Sequence, residues 1–131
     1  MRRLTVFLFT IVLSFTVIYG EVSSYNVTQE IDSILEKHNG VLFIKTHCSY
    51  SNAAIYVLKL FPIKNLYIEH INMRNDTQQI QDELYKRSGI TTVPQFFINQ
   101  TFYGNYNKIA EAYSKNQLYQ LLKDADMIKT D

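Results

Sequence analysis

Cys48 is the only cysteine in 131 residues, and Lys45, His47, Ser49, Tyr50 and Ser51 crowd around it. Sulfur chemistry depends on the thiolate, and a thiol becomes reactive when cations or the positive end of a helix favour its charged form. The sequence supplies both. Val41 to Ile44 is a run of four apolar residues bounded by Gly40 and Lys45, too short for a helix and suited to a buried strand. Beyond the cysteine, Ala54, Val57, Leu58 and Phe61 fall at helical spacing, so a helix begins near Ser49. Cys48 is therefore predicted at a strand-to-helix junction, where unpaired N–H groups and the helix dipole face it. A buried, inert thiol is the ordinary alternative for a lone cysteine. The polar, cationic setting argues for a reactive one.

The stretch Lys45-Thr46-His47-Cys48-Ser49-Tyr50-Ser51 resembles the Lys-Thr-x-Cys-x-Tyr-Cys/Ser active site of glutaredoxins, in the form where the second cysteine is serine. Thr92-Val93-Pro94 and a glycine turn at Gly104 after the following hairpin extend the resemblance, which runs from about Val27 to Ala125. It implies that glutathione lies in a groove beside a catalytic Cys48. In that groove Lys45 pairs with the glycyl carboxylate, Tyr50 flanks the tripeptide, and Thr92 and Val93, before a cis Pro94, hold its cysteinyl portion. Many glutaredoxins have Gly-Gly, a small residue and an aspartate that holds the γ-glutamyl amino group; here the sequence is Gly104-Asn105-Tyr106-Asn107. Asn107 brings no charge, and a charge-assisted hydrogen bond is about twice as strong as a neutral one. Weaker glutathione binding is expected.

With Ser51 where a resolving thiol would stand, the chain has no second sulfur for a dithiol reaction. The chemistry left to it is exchange of glutathione with the mixed disulfides of protein thiols, in either direction. Two alternatives belong to other classes. In one, two Cys48 thiolates and two glutathione thiols hold a [2Fe-2S] cluster between two chains. In the other, the domain is a binding module without activity.

The remaining elements must position these residues. Val27, Ile31, Ile34 and Leu35 make an amphipathic helix read as stopping at Gly40. Leu66 to Ile71 reads as a second strand after Pro62. Asp76 with Gln79 is read as a helix cap, Gly89 as that helix's end, and Asn99-Gln100 as the link of a tight hairpin between Gln95–Ile98 and Thr101–Tyr103. Two short helices close the chain, the last capped by Asn116. Helix, strand, helix, strand, helix, hairpin, helix, helix gives an α/β sandwich about a mixed four-stranded sheet: the thioredoxin-like fold in its glutaredoxin form.

A net charge of +1 with no basic cluster beyond Arg2-Arg3 leaves no footprint for nucleic acid. Arg2-Arg3 followed by the uncharged run Leu4 to Tyr19 reads as a signal peptide over residues 1–20, or as an uncleaved anchor, which would be the chain's one membrane contact. Either places the domain, residues 25–131, in the secretory pathway lumen or outside the cell. Sequons at Asn26, Asn75 and Asn99 are candidate glycosylation sites there. His38, His47 and His70 lack metal-ligand spacing, so no metal site is expected, and His47 is read as a surface residue. A monomer is expected, its partners glutathione and glutathionylated protein thiols.

Overall fold

The structure is a computed structural model and describes residues 26–131. The expected leader over residues 1–20 lies outside that range. Residues 26–37 form a helix, α1. Then come β1 (Gly40–Ile44), α2 (Ser49–Leu58), β2 (Leu66–His70), a single 3-10 turn at Ile71–Met73, α3 (Thr77–Ser88), β3 (Gln95–Ile98), β4 (Thr101–Gly104), α4 (Tyr106–Ser114) and α5 (Leu118–Asp124).

The sheet order is β2-β1-β3-β4. β1 runs parallel to β2 and antiparallel to β3, with Val41 beside both Tyr67 and Phe97. This is the mixed four-stranded thioredoxin-like sheet. As a central strand, β1 has to be apolar on both faces. Leu42 and Ile44 enter one core with α2, α4 and α5; Val41 and Phe43 enter the other with α1 and α3. The hairpin between β3 and β4 turns through Asn99 and Gln100 with φ of 47° and 70°, the two left-handed residues that a tight hairpin needs.

Three local readings change. Gly40 does not stop α1; it opens β1, where a β-carbon would run into the thioether of Met127. Asp76 stands at the N-terminus of α3 without a side-chain cap, because Arg74 takes its carboxylate at 2.9 Å. Asn116 caps the end of α4 rather than the start of α5. With φ of 58° it is the left-handed residue of a Schellman turn, its N–H donating to Tyr113 and that of Gln117 to Ala112. Asp126 closes α5 in the same way, with bonds from Asp126 to Lys123 and from Met127 to Leu122. Only at α3 does the expected glycine, Gly89, take this role, with φ of 75°.

Candidate active site

Between β1 and α2 the chain makes one tight loop. His47 has φ of 64°, a left-handed conformation costing a residue with a β-carbon about 1–2 kcal/mol. This bend puts the exposed His47 outward and brings Cys48 to the N-cap position of α2, at φ −91° and ψ 120°. The loop is tied to the end of β2. Asn72 Oδ1 accepts the Thr46 N–H at 2.8 Å, and the Thr46 hydroxyl shares a hydrogen bond with His70 Nδ1 at 3.1 Å. Within the loop the Cys48 N–H donates to Lys45 O at 3.3 Å.

Cys48 is half-buried, and its pKa lies below the ordinary thiol value. The largest cause is the Ser51 hydroxyl, followed by the Ser51 N–H; burial opposes them, and the Tyr50 N–H and the charge of Lys45 contribute less. The sulfur closes no side-chain cap on α2, and the polar groups of the first helical turn favour its negative charge. Lysine was the conspicuous feature of the sequence. Ser51, fully buried at the third position of the helix, matters more.

Tyr50, Thr92, Val93, Pro94 and Asn107 come together along an open groove of about 230 Å³, together with Asn105 and Tyr106. The Val93-Pro94 bond is cis. Tyr50 is 61% exposed and tilts against Tyr106 with ring centroids 5.8 Å apart, so the two tyrosines form one wall. Asn107 sits in the first turn of α4, where the Asn105 side chain accepts the Lys108 N–H. Gly104 is the buried last residue of β4 rather than a turn, because α4 packs so close that a β-carbon would meet the Lys108 side chain. Among the described residues, no charged side chain lines the groove.

Lys45 stands apart from that lining. Its ammonium donates to Gln81 Oε1 of α3 at 2.6 Å. Sequence reading missed Gln81, whose place in a polar helix carries no signal. It also missed Gln95, buried in β3, whose amide nitrogen donates to the carbonyls of Ile90 and Thr92 at 3.1 Å and so braces the loop leading to Pro94. A polar residue heading the apolar run Gln95-Phe96-Phe97-Ile98 was the available clue. Asn26, Asn75 and Asn99 are exposed and lie outside the groove lining.

Residues 41–103 match the family model for glutaredoxin. An uncharacterised monothiol glutaredoxin of Caenorhabditis elegans is 28% identical over 138 residues, covering 100% of this chain and 93% of that one. Glutaredoxin-C8 of Oryza sativa subsp. japonica is 33% identical over 93 residues, 70% of this chain and 68% of its own. Among solved structures, a buckwheat glutaredoxin–glutathione complex superposes with a TM-score of 0.76 at 21% identity, covering 83% of this chain and 98% of the other. At that identity the superposition speaks for the fold.

Proposed function

The chain belongs to the glutaredoxin family, and we propose that it is a glutathione-dependent thiol–disulfide oxidoreductase working through the single sulfur of Cys48. The Cys48 thiolate attacks the glutathionyl sulfur of a protein mixed disulfide. The protein sulfur leaves with the bonding electrons and takes up a proton, and Cys48 carries the glutathione. A second glutathione thiolate then attacks that glutathionyl sulfur, forming glutathione disulfide and returning Cys48 as a thiolate. Run backward, the same exchange places glutathione on protein thiols.

The observation that carries this reading is a thiol held below its ordinary pKa at a helix N-terminus, with the Tyr50–Pro94 groove beside the same helix end. In that groove Tyr50 and Tyr106 flank the tripeptide, and the backbone of Thr92 and Val93 before Pro94 meets its cysteinyl portion. Lys45, steadied by Gln81, takes the glycyl carboxylate. Asn107 meets the γ-glutamyl end without a charge, and with no acidic side chain in the lining, binding there is weaker than a carboxylate would make it.

The lumen of the secretory pathway, or the exterior, fits the exposure of all three sequon asparagines. The chain itself offers one thiolate, and among the described residues no three His, Cys, Asp or Glu side chains gather into a metal-holding group. A [2Fe-2S] cluster would therefore have to draw its other ligands from a second chain and from glutathione, and the exchange reaction needs none.

The test is glutathione-dependent reduction of the mixed disulfide of β-mercaptoethanol and glutathione. Turnover lost in Cys48→Ser and kept, at a reduced rate, in Ser51→Ala establishes the single-sulfur mechanism. Absence of turnover in the folded, unaltered protein overturns it.

A further inference from the structure

Between α3 and β3, residues 89–94 carry the groove residues Thr92, Val93 and Pro94. Among the described residues, no backbone–backbone hydrogen bond outside the helices and strands involves residues 90–94. Side chains hold the segment instead. At its start the Ser88 hydroxyl accepts the Ile90 N–H at 3.2 Å; at its groove end Gln95 Nε2 donates to Thr92 O, and also to Ile90 O, each at 3.1 Å. The amide can face only one way, since turned over it would set its oxygen against two carbonyls. Gln95 is 2% exposed, and its Oε1 is buried without a partner. An apolar side chain of the same length would bury no unpaired oxygen, and the carbonyls served belong to a half-buried Ile90 and an exposed Thr92. Burial therefore gives no reason for an amide at this position. The reason lies in what its NH2 group holds.

We propose that Gln95 is a positioning residue for the glutathionyl group: its amide fixes the backbone of Thr92, and with it Val93, in the orientation that meets the cysteinyl portion of the tripeptide. This rests on the glutathione groove proposed above. Gln95 is not part of the groove lining and acts through the loop. The glutathionyl group lies against that backbone both when bound and during attack on its sulfur. Loosening the loop therefore weakens both states alike, which raises the Michaelis constant and leaves kcat in place.

Gln95→Met keeps the side-chain length and removes both the donors and the unpaired oxygen. It should raise the Michaelis constant for the mixed disulfide of β-mercaptoethanol and glutathione about fivefold, the factor of one neutral hydrogen bond, with kcat changed by less than about twofold. S-methylglutathione, which cannot exchange, should bind more weakly by the same factor in calorimetry. Two readouts should not move: the thermal midpoint, and the pH profile of Cys48 alkylation by iodoacetamide. An unchanged Michaelis constant overturns the proposal. A raised one accompanied by a lower thermal midpoint and a displaced alkylation profile also overturns it, because that is the pattern of a general packing defect. Should Gln95→Met not fold, NMR titration of the unaltered protein with S-methylglutathione decides. The Gln95 side-chain amide and the Val93 N–H should then shift with one midpoint, and a Gln95 amide that stays still while Val93 moves rejects the coupling. If the unaltered protein binds S-methylglutathione but turns over no mixed disulfide, the oxidoreductase reading fails, and the positioning role stands or falls on the ratio of binding constants. No binding by the unaltered protein ends both.

Discussion

On the face of the sheet that carries Cys48, Leu42, Ile44 and Phe96 pack against the buried sides of α2, α4 and α5. The C-terminal tail closes that layer through backbone bonds, Lys64 N–H to Met127 and Lys129 N–H to Pro62, both 2.8 Å. On the opposite face Val41, Phe43 and Phe97 meet α1 and α3 over a smaller apolar cluster, and ion pairs run along its edge. Arg74 reaches Glu30 of α1 at 2.6 Å, Glu69 of β2 at 3.1 Å and Asp76 at 2.9 Å; Arg87 of α3 reaches Asp32 of α1 at 2.7 Å. The helix end that carries Cys48 thus rests on the layer held by apolar burial, which salt and acid leave largely intact. Helix α1 is tied on by ion pairs that both can weaken.

The largest effect tests whether the site can be removed without touching either layer. Cys48→Ser should take turnover to background while the thermal midpoint stays within the usual range for a surface change; a large loss of stability would mean that the thiol is part of the packing. Next, Leu58→Ala, on the face that carries Cys48 and fully buried, should cost about 2–5 kcal/mol in urea unfolding. Arg74→Ala, whose partners are partly exposed, should cost about 1–2 kcal/mol. Raising the salt concentration should shrink the second deficit and spare the first. Equal salt responses would erase the distinction between the faces.

Acid sharpens the comparison further. Arg74 holds the Asp76 carboxyl below its usual range. For Glu83, burial pushes upward, but Arg87 and the Thr28 hydroxyl outweigh it, and the net direction is down. Groups with depressed folded pKa values stabilise the fold fully above their unfolded values near pH 4 and lose that contribution as pH falls through the folded ones. Protection of the α1 amides against hydrogen exchange should accordingly fall as the pH drops below about 4, before that of α5 does; simultaneous loss would contradict ionic tethering. The smallest effect belongs to the groove: Asn107→Asp should lower the Michaelis constant for glutathione a few-fold, and an unchanged constant would reject this residue's assignment.

Element order, the parallel β1–β2 pair and the β3–β4 hairpin were legible because each rested on local pattern: a doubly apolar β1, helical spacing after Cys48, and a link of length two at Asn99-Gln100. The candidate groove was legible as far as motif residues reached, since Tyr50, Thr92, Val93, Pro94 and Asn107 line it together. Caps were read less well. Asn116 suits a helix start in isolation, and it ends a helix here because asparagine tolerates the left-handed conformation almost as glycine does.

By itself the sequence determined the strand-to-helix junction at Cys48 and the single sulfur on which the proposed exchange rests. Those follow from residue type and spacing along one stretch of chain. Only the tertiary structure decided what surrounds the sulfur. That His70 at the end of β2 and Asn72 just after it brace the loop, and that Gln81 holds the lysine, depend on which side chains converge from elements far apart in sequence. Hydrogen bonds act over about 3 Å, and no periodicity in the chain records such a convergence.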